Sequence, residues 1–185
     1  MEIIKKNVIF AKIEYMTFKD WLSFVLDKGL ICERYLPAVD AARSRKQFMD
    51  VVLDVNGMTF LCDMREKGYG LPYDVMCDEF KAYLNGRYIH TKSVLLRGYT
   101  ASMYCRVEEP SEITINTTLT GIFGCSCSIH VPANTCRQLI VDGSSVVNIT
   151  VGNGGKCYVD LWRGGEVTFD DPSYVVIKHK SAEDE

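Results

Sequence analysis

Five runs of alternating side chains follow one another at constant spacing through the C-terminal third of the chain. The runs are Cys127-x-Ile129-x-Val131, Arg137-x-Leu139-x-Val141, Val147-x-Ile149-x-Val151, Cys157-x-Val159-x-Leu161 and Val167-x-Phe169. Side chains two residues apart lie on the same side of a β-strand, and ten is an even number, so one parity of residue faces the same way in every run. The pattern predicts short strands around one shared apolar interior, with Arg137 as its exception.

Turn-forming residues separate these runs. They occupy 132–134, 142–145, 152–155 and 163–165, and most are Gly, Asn, Asp, Ser or Pro. A parallel β-solenoid would use these turns as corners, with two ten-residue units per coil. An antiparallel meander or sandwich would use them as hairpin loops. The uniform spacing favours a short parallel β-solenoid, and the meander or sandwich stays the alternative.

The front half of the chain shows helical rather than alternating patterns. A first helix is predicted to begin at Thr17, an N-cap residue, and to end near Gly29. Further helices are predicted over 38–54, over 59–66 and from Tyr73 to Leu84. Asn56-Gly57 is compatible with a helix end or with a two-residue hairpin turn, and we favour the helix end.

Together these patterns predict an α+β protein. We expect a mainly helical domain over 1–88, a β-rich repeat domain over 89–180 and a disordered acidic tail over 181–185. Short β-branched and aromatic runs separated by Gly, Pro, Asn, Asp and Ser support the β assignment after residue 88.

Charge and hydropathy restrict the partners. The 21 Lys and Arg are outnumbered by 24 Asp and Glu, so the basic surface that neutralises nucleic-acid phosphates is not indicated. No apolar run approaches the roughly 18 residues of a membrane helix. The first ten residues lack the apolar core of a secretion signal. We therefore expect a soluble, cytoplasmic protein with neither a nucleic-acid nor a membrane partner.

The eight cysteines do not form a recognisable metal or redox motif, because the chain has no CxxC pair. Cys125 and Cys127 would share one side of a strand, with His130 on the other side. We predict no metal site, no cofactor and no catalytic residue, and we expect most cysteines to be small buried apolar side chains. Glycine-rich phosphate loops and nucleophile elbows are also missing, so the sequence favours a non-enzymatic role.

Four apolar side chains occupy outward positions of the repeats: Ile140, Val146, Tyr158 and Trp162. Aromatic residues on a protein surface are typical of interfaces, so these four are the predicted binding residues. The competing interpretation is that another layer of the protein covers them.

A helical start followed by even β repeats resembles small uncharacterised proteins of bacteriophages and prophages, among which β-solenoid and fibre-like tails are common. The repeats over 127–169 and the Asn85-Gly86-Arg87-Tyr88 segment carry this resemblance, which covers about a third of the chain. It implies a structural or interaction protein, associated with a virion if phage-encoded, and assigns no functional residue. The sequence thus predicts a protein that self-associates or docks a protein partner. The alternatives are a small-molecule or glycan-binding module and a cysteine-dependent enzyme.

Overall fold

A computed structural model of the chain describes residues 17–81, 94–97, 101–105 and 111–183. The chain divides after residue 83 into two compact units, the first helical and the second built of strands. The α+β class and the parallel β-solenoid are confirmed. The predicted domain boundary at residues 88 and 89 lies outside the described residues and stays a prediction.

The first unit contains five helices among its described residues. They are α1 (Phe18–Asp27), α2 (Leu36–Ala41), α3 (Arg45–Val52), α4 (Val55–Glu66) and α5 (Tyr73–Lys81). The Thr17 hydroxyl accepts a hydrogen bond from the Asp20 amide, which confirms the predicted N-cap of α1. Trp21 is buried in this unit, and its indole N–H donates to the Tyr69 carbonyl over 2.7 Å.

The single helix predicted over 38–54 is wrong. It is two helices, because Ser44 leaves the helical conformation and its hydroxyl accepts from the Gln47 amide to start α3. Asn56-Gly57 is neither a helix end nor a hairpin turn, since Asp54 caps α4 and both residues lie in its first turn. A Cβ on Gly57 would lie 2.3 Å from the Val51 carbonyl oxygen, so glycine permits the close approach of α3.

The second unit contains ten strands among its described residues. They are β1 (Val94–Arg97), β2 (Ala101–Cys105), β3 (Ser111–Thr114), β4 (Leu119–Phe123), β5 (Ser126–Val131), β6 (Cys136–Val141), β7 (Val146–Val151), β8 (Lys156–Trp162), β9 (Glu166–Phe169) and β10 (Val175–Lys180). One sheet, here sheet A, has the order β1-β2-β4-β6-β8-β10, and the other, sheet B, has the order β3-β5-β7-β9. Every pairing is parallel except that of β1 with β2.

The pairing register distinguishes the two predicted architectures. Cys136 on β6 pairs with Lys156 on β8, and Ser126 on β5 pairs with Val146 on β7, so residues twenty apart stack on one another. Two ten-residue units therefore make one coil, as the solenoid interpretation predicted. The antiparallel meander is wrong, because neighbouring runs lie in different sheets rather than beside each other.

The corners of the coils are β-turns that repeat every ten residues. In successive corners the amides of Ser145, Gly155 and Gly165 donate to the carbonyls three residues earlier. Asn134 and Gly154 occupy the left-handed region, with φ of 56° and 70°. The Asn134 amide also donates to the Asn153 carbonyl over 3.0 Å, so the corner of one coil is hydrogen-bonded to that of the next.

The solenoid interior is apolar, as the parity of the runs predicted. Fully buried side chains from both sheets fill it: Ile122, Ile129, Val131, Leu139, Val141, Val147, Ile149, Cys157 and Val159. Burial of one such aliphatic side chain contributes about 1.5–3 kcal/mol. Arg137, the exception in the pattern, is half-buried, and its guanidinium donates to the Ile115 and Cys136 carbonyls.

Of the predicted disordered tail, residues 181–183 belong to the described part. Ser181 and Ala182 are half-buried, and the Arg163 guanidinium lies 3.6 Å from the Glu183 carboxylate. The disorder predicted for 181–185 stays a prediction.

Candidate functional site

The four predicted binding residues do not form one surface. Tyr158 and Val146 are exposed, at 43 % and 46 %, but Tyr158 lies on the outer side of sheet A and Val146 on the outer side of sheet B. Ile140 and Trp162 are buried, at 0 % and 2 %. The exposure expected of Ile140 and Trp162 was wrong.

The burial of Ile140 and Trp162 has a physical explanation in sheet A. Both point away from the solenoid interior, as their parity requires, and they share that outer side with other buried apolar side chains. The set is Ala101, Met103, Cys105, Phe123, Ile140 and Trp162. Part of this side of sheet A is therefore a second apolar core rather than a solvated face. The Trp162 Nε1 atom is buried there and has no hydrogen-bond partner among the described residues.

Another part of sheet A, on strands β6, β8 and β10, forms an open groove of about 450 Å³. Tyr158 on β8 lies in the middle of a row of three paired residues, with Gln138 of β6 on one side and Val176 of β10 on the other. Val176 is 51 % exposed. Neighbouring strands are about 4.8 Å apart, so Tyr158 and Val176 form one continuous apolar patch.

Val176 is the groove residue that sequence reasoning missed. Its strand pairs with β8 at an offset of eighteen residues, as Val175 stands opposite Cys157, and so it falls outside the ten-residue pattern. The signal that could have found it is the Val175-Val176-Ile177 run. Consecutive apolar residues place at least one of them on the outer side of a strand.

Polar and charged side chains surround the apolar patch. The Gln138 amide donates to the Asp160 carboxylate over 3.0 Å, and Lys178 stands opposite Asp160 in the strand register. Arg137 also lines the groove, together with Thr118 and Cys136. Arg137 and Lys178 carry two positive charges and Asp160 one negative charge, so the groove residues bear a net charge of +1. The Arg137 guanidinium already donates to the Ile115 and Cys136 carbonyls, so Lys178 is the cation that stands beside the apolar patch.

The cysteines and histidines do not converge on a reactive site within the described residues. Burial raises the pKa of the Cys127 thiol to about 12, which makes its thiolate inaccessible at neutral pH. His130 lies on the outer side of sheet B, where its Nδ1 is 3.2 Å from the Thr150 hydroxyl, whereas Cys125 and Cys127 point inward. Cys136 is an exposed thiol in the groove, and none of the described groove residues is a histidine.

Within the ranges that the structure describes, no three His, Cys, Asp or Glu side chains are grouped so that they could hold a metal ion. None of the described helices has both the length and the apolar composition that crossing a bilayer requires.

Comparison with models of known protein families, with curated proteins and with solved structures gives no match to this chain. The class of protein that the geometry defines is a parallel β-solenoid preceded in the chain by a helical unit. The groove is therefore interpreted from its own geometry.

Proposed function

We propose that this chain is a non-enzymatic interaction protein whose solenoid docks a protein partner in the groove on sheet A. The observation that carries the proposal is the adjacent exposure of Tyr158 and Val176 on neighbouring strands of a rigid sheet. An exposed aromatic beside an exposed aliphatic side chain, rimmed by polar groups, has the arrangement of an interface centre.

The charges of the rim specify the partner's chemistry. Arg137 and Lys178 outnumber Asp160 among the groove residues, although the Asp160 carboxylate keeps its negative charge when it accepts the hydrogen bond from Gln138. Complementary potentials favour correct partners and steer their approach. The partner segment is therefore one that presents an apolar side chain flanked by Asp or Glu.

A random peptide library panned on the full-length protein tests this proposal. The expected result is enrichment of peptides with an apolar residue between acidic ones, whose binding is lost in the Tyr158→Ala and Val176→Thr variants. Val146→Thr is the matched control, because Val146 is equally exposed but lies on sheet B. Peptides that bind all three variants equally well would refute docking at this groove.

A glycan is the second candidate ligand, favoured by the position of the Tyr158 ring beside the hydrogen-bonding groups of Gln138, Asp160 and Lys178. A small binding site combines an apolar floor with a few placed polar groups, and about 450 Å³ lies within the usual range of such sites. Binding on a glycan array that Tyr158→Ala abolishes would support this candidate. An array without signal would refute it.

We also propose a location in the virion of a phage, or in the cytoplasm of the cell that makes the protein. The resemblance of the helical start and β repeats to phage and prophage proteins supports the first location. Genes for capsid and tail proteins beside the gene for this chain, and the protein itself in purified particles, are the expected observations. A gene far from any phage gene would contradict the virion location.

A further inference from the structure

The C-terminal end of the solenoid exposes part of its interior. Among the described strands, β9 and β10 are the last of their sheets, so one edge of each is unpaired. Val167, Phe169 and Ile177 point inward but are only half-buried, whereas Ile149 in the preceding coil is fully buried. This end therefore presents two open strand edges around an apolar strip, the arrangement that another strand pair would complete.

The two open edges carry opposite charge. Glu166 lies on β9, which Asp170 and Asp171 follow directly, whereas β10 carries Lys178 and Lys180. All but Lys180, which is half-buried, are exposed. An edge strand with charged side chains resists pairing with a strand that carries the same charge. Pairing of β9 with β9, or of β10 with β10, would bring like charges together, so these charges favour pairing of β9 with β10.

A second copy of the chain would provide the strand pair that completes these two open edges. The strands of successive coils are parallel, as in the pairs of β7 with β9 and of β8 with β10. The intervening strand of each coil therefore runs back in roughly the opposite direction, and β9 is antiparallel to β10. A twofold axis parallel to these strands would place β9 of one copy against β10 of the other in antiparallel pairing, twice per dimer. The opposite edges then meet, and both interiors become continuous.

We propose that the protein forms an end-to-end twofold dimer in which each β9 edge pairs with the β10 edge of the other copy. One register satisfies both sides of the strands. On the outer side it sets Glu166 opposite Lys178 and Thr168 opposite Val176. On the inner side it sets Val167 opposite Ile177. The hydrogen-bonding groups of both edges are satisfied at the same time.

Light scattering after size-exclusion chromatography of the full chain tests the dimer. The expected mass is twice the 20.9 kDa of one chain. Glu166→Lys and Lys178→Glu are each expected to raise the dissociation constant about tenfold or more, since each places like charges opposite at two symmetric positions. The double variant with both changes exchanges the two charges and is expected to restore the dimer. If the single variants failed to dimerise because they were misfolded, the double variant would not dimerise either.

Glu112→Lys is the matched control, because Glu112 is an exposed acid on β3, at the opposite end of sheet B, and is expected to leave the mass unchanged. A monomer at about 100 µM, or a double variant no better than the single ones, would overturn the end-to-end dimer. Val176 and Lys178 belong both to the groove and to the proposed dimer edge, whereas Tyr158 belongs only to the groove and Glu166 only to the dimer edge. Peptide binding is therefore tested through Tyr158→Ala, and dimer formation through Glu166→Lys. Failure of one does not imply failure of the other.

Discussion

The carboxylate of Asp142 accepts a hydrogen bond from the amide of Gly124, over 3.1 Å, and so connects two corners of the solenoid that are eighteen residues apart. The same oxygen accepts from the Ser144 amide at 3.2 Å and from the Ser145 hydroxyl at 2.8 Å. Asp142 and Ser145 are both buried, at 1 % and 0 %. A buried carboxylate is tolerated here because backbone and hydroxyl donors surround it.

Asp142→Ala is expected to lower the free energy of unfolding by about 3–5 kcal/mol, because hydrogen bonds to a charged group are lost and buried donors are left without an acceptor. Asp142→Asn keeps one acceptor oxygen and is expected to cost less. Urea unfolding followed by circular dichroism measures both. Glu112→Ala, at an exposed acid on β3, is expected to change stability by less than about 0.5 kcal/mol. If Asp142→Ala and Glu112→Ala lowered the free energy of unfolding equally, the hydrogen bonds of Asp142 would not stabilise the corner.

Gly154→Ala is expected to destabilise the solenoid by about 1–3 kcal/mol. The residue has a φ of 70°, and an added Cβ would lie 2.5 Å from the Asn134 side-chain oxygen of the corner stacked on it. The second effect is removed in an Asn134→Gly background, so the double variant isolates it. Urea unfolding of the four proteins gives the coupling energy. If the effects of the two substitutions on the free energy of unfolding are additive, the Asn134 side chain moves aside without cost.

The solenoid could be predicted because every second residue faces the interior in each of five successive runs. This alternation is a local property of the sequence, so it can be recognised without any knowledge of the rest of the protein. Ile149 and Val159 are buried as their alternation required. Parity gives the direction in which Ile140 and Trp162 point, but not whether solvent lies there. That depends on which segments cover the outer side of sheet A, a long-range property that the local pattern does not contain.

The helical half was predicted less completely for a related reason. Ser44 and Asp54 are capping residues, and each begins a separate helix. Residues 43–47 are all polar, and this break in the apolar spacing is the sequence signal of the first cap. In the sequence, Gly57 has the position of a helix end. In the structure it has no Cβ, and this allows the backbone of Val51 in α3 to pack closely against it. A contact between residues of different elements decides the role of that glycine, and local propensity does not.

Trp162→Ala is expected to cost about 3–5 kcal/mol of unfolding free energy, whereas Tyr158→Ala is expected to cost less than about 1 kcal/mol. The indole of Trp162 is 2 % exposed and the ring of Tyr158 is 43 % exposed, although the two side chains belong to the same outer side of β8. Trp162→Phe keeps most of the buried ring and removes an indole N–H that has no partner in the part of the chain that the structure describes, so a loss of about 1 kcal/mol is expected. Thermal unfolding of the three variants measures these differences. A small loss of unfolding free energy in Trp162→Ala would contradict the second apolar core.

The stability of the solenoid is expected to fall as the pH rises above about 9. Burial raises the pKa of the Cys127 and Cys157 thiols to about 12 each, and the charge of Cys136 adds to the effect on Cys157. In the unfolded chain these thiols ionise near 9.0, so between about 9 and 12 the folded state holds more protons than the unfolded one. Each thiol then removes at most about 1.4 kcal/mol of unfolding free energy per pH unit.

Urea unfolding at a series of pH values from about 8 to about 10.5 measures this loss, and Cys127→Ala is expected to make it less steep. Cys32→Ser is the control, because Cys32 is exposed and lies outside the solenoid. Other groups that titrate in the same range act equally on all three proteins, so the difference between their slopes reports the buried thiol. Identical slopes for the Cys127 variant and the unmutated chain would show that hydroxide reaches the solenoid interior without unfolding it.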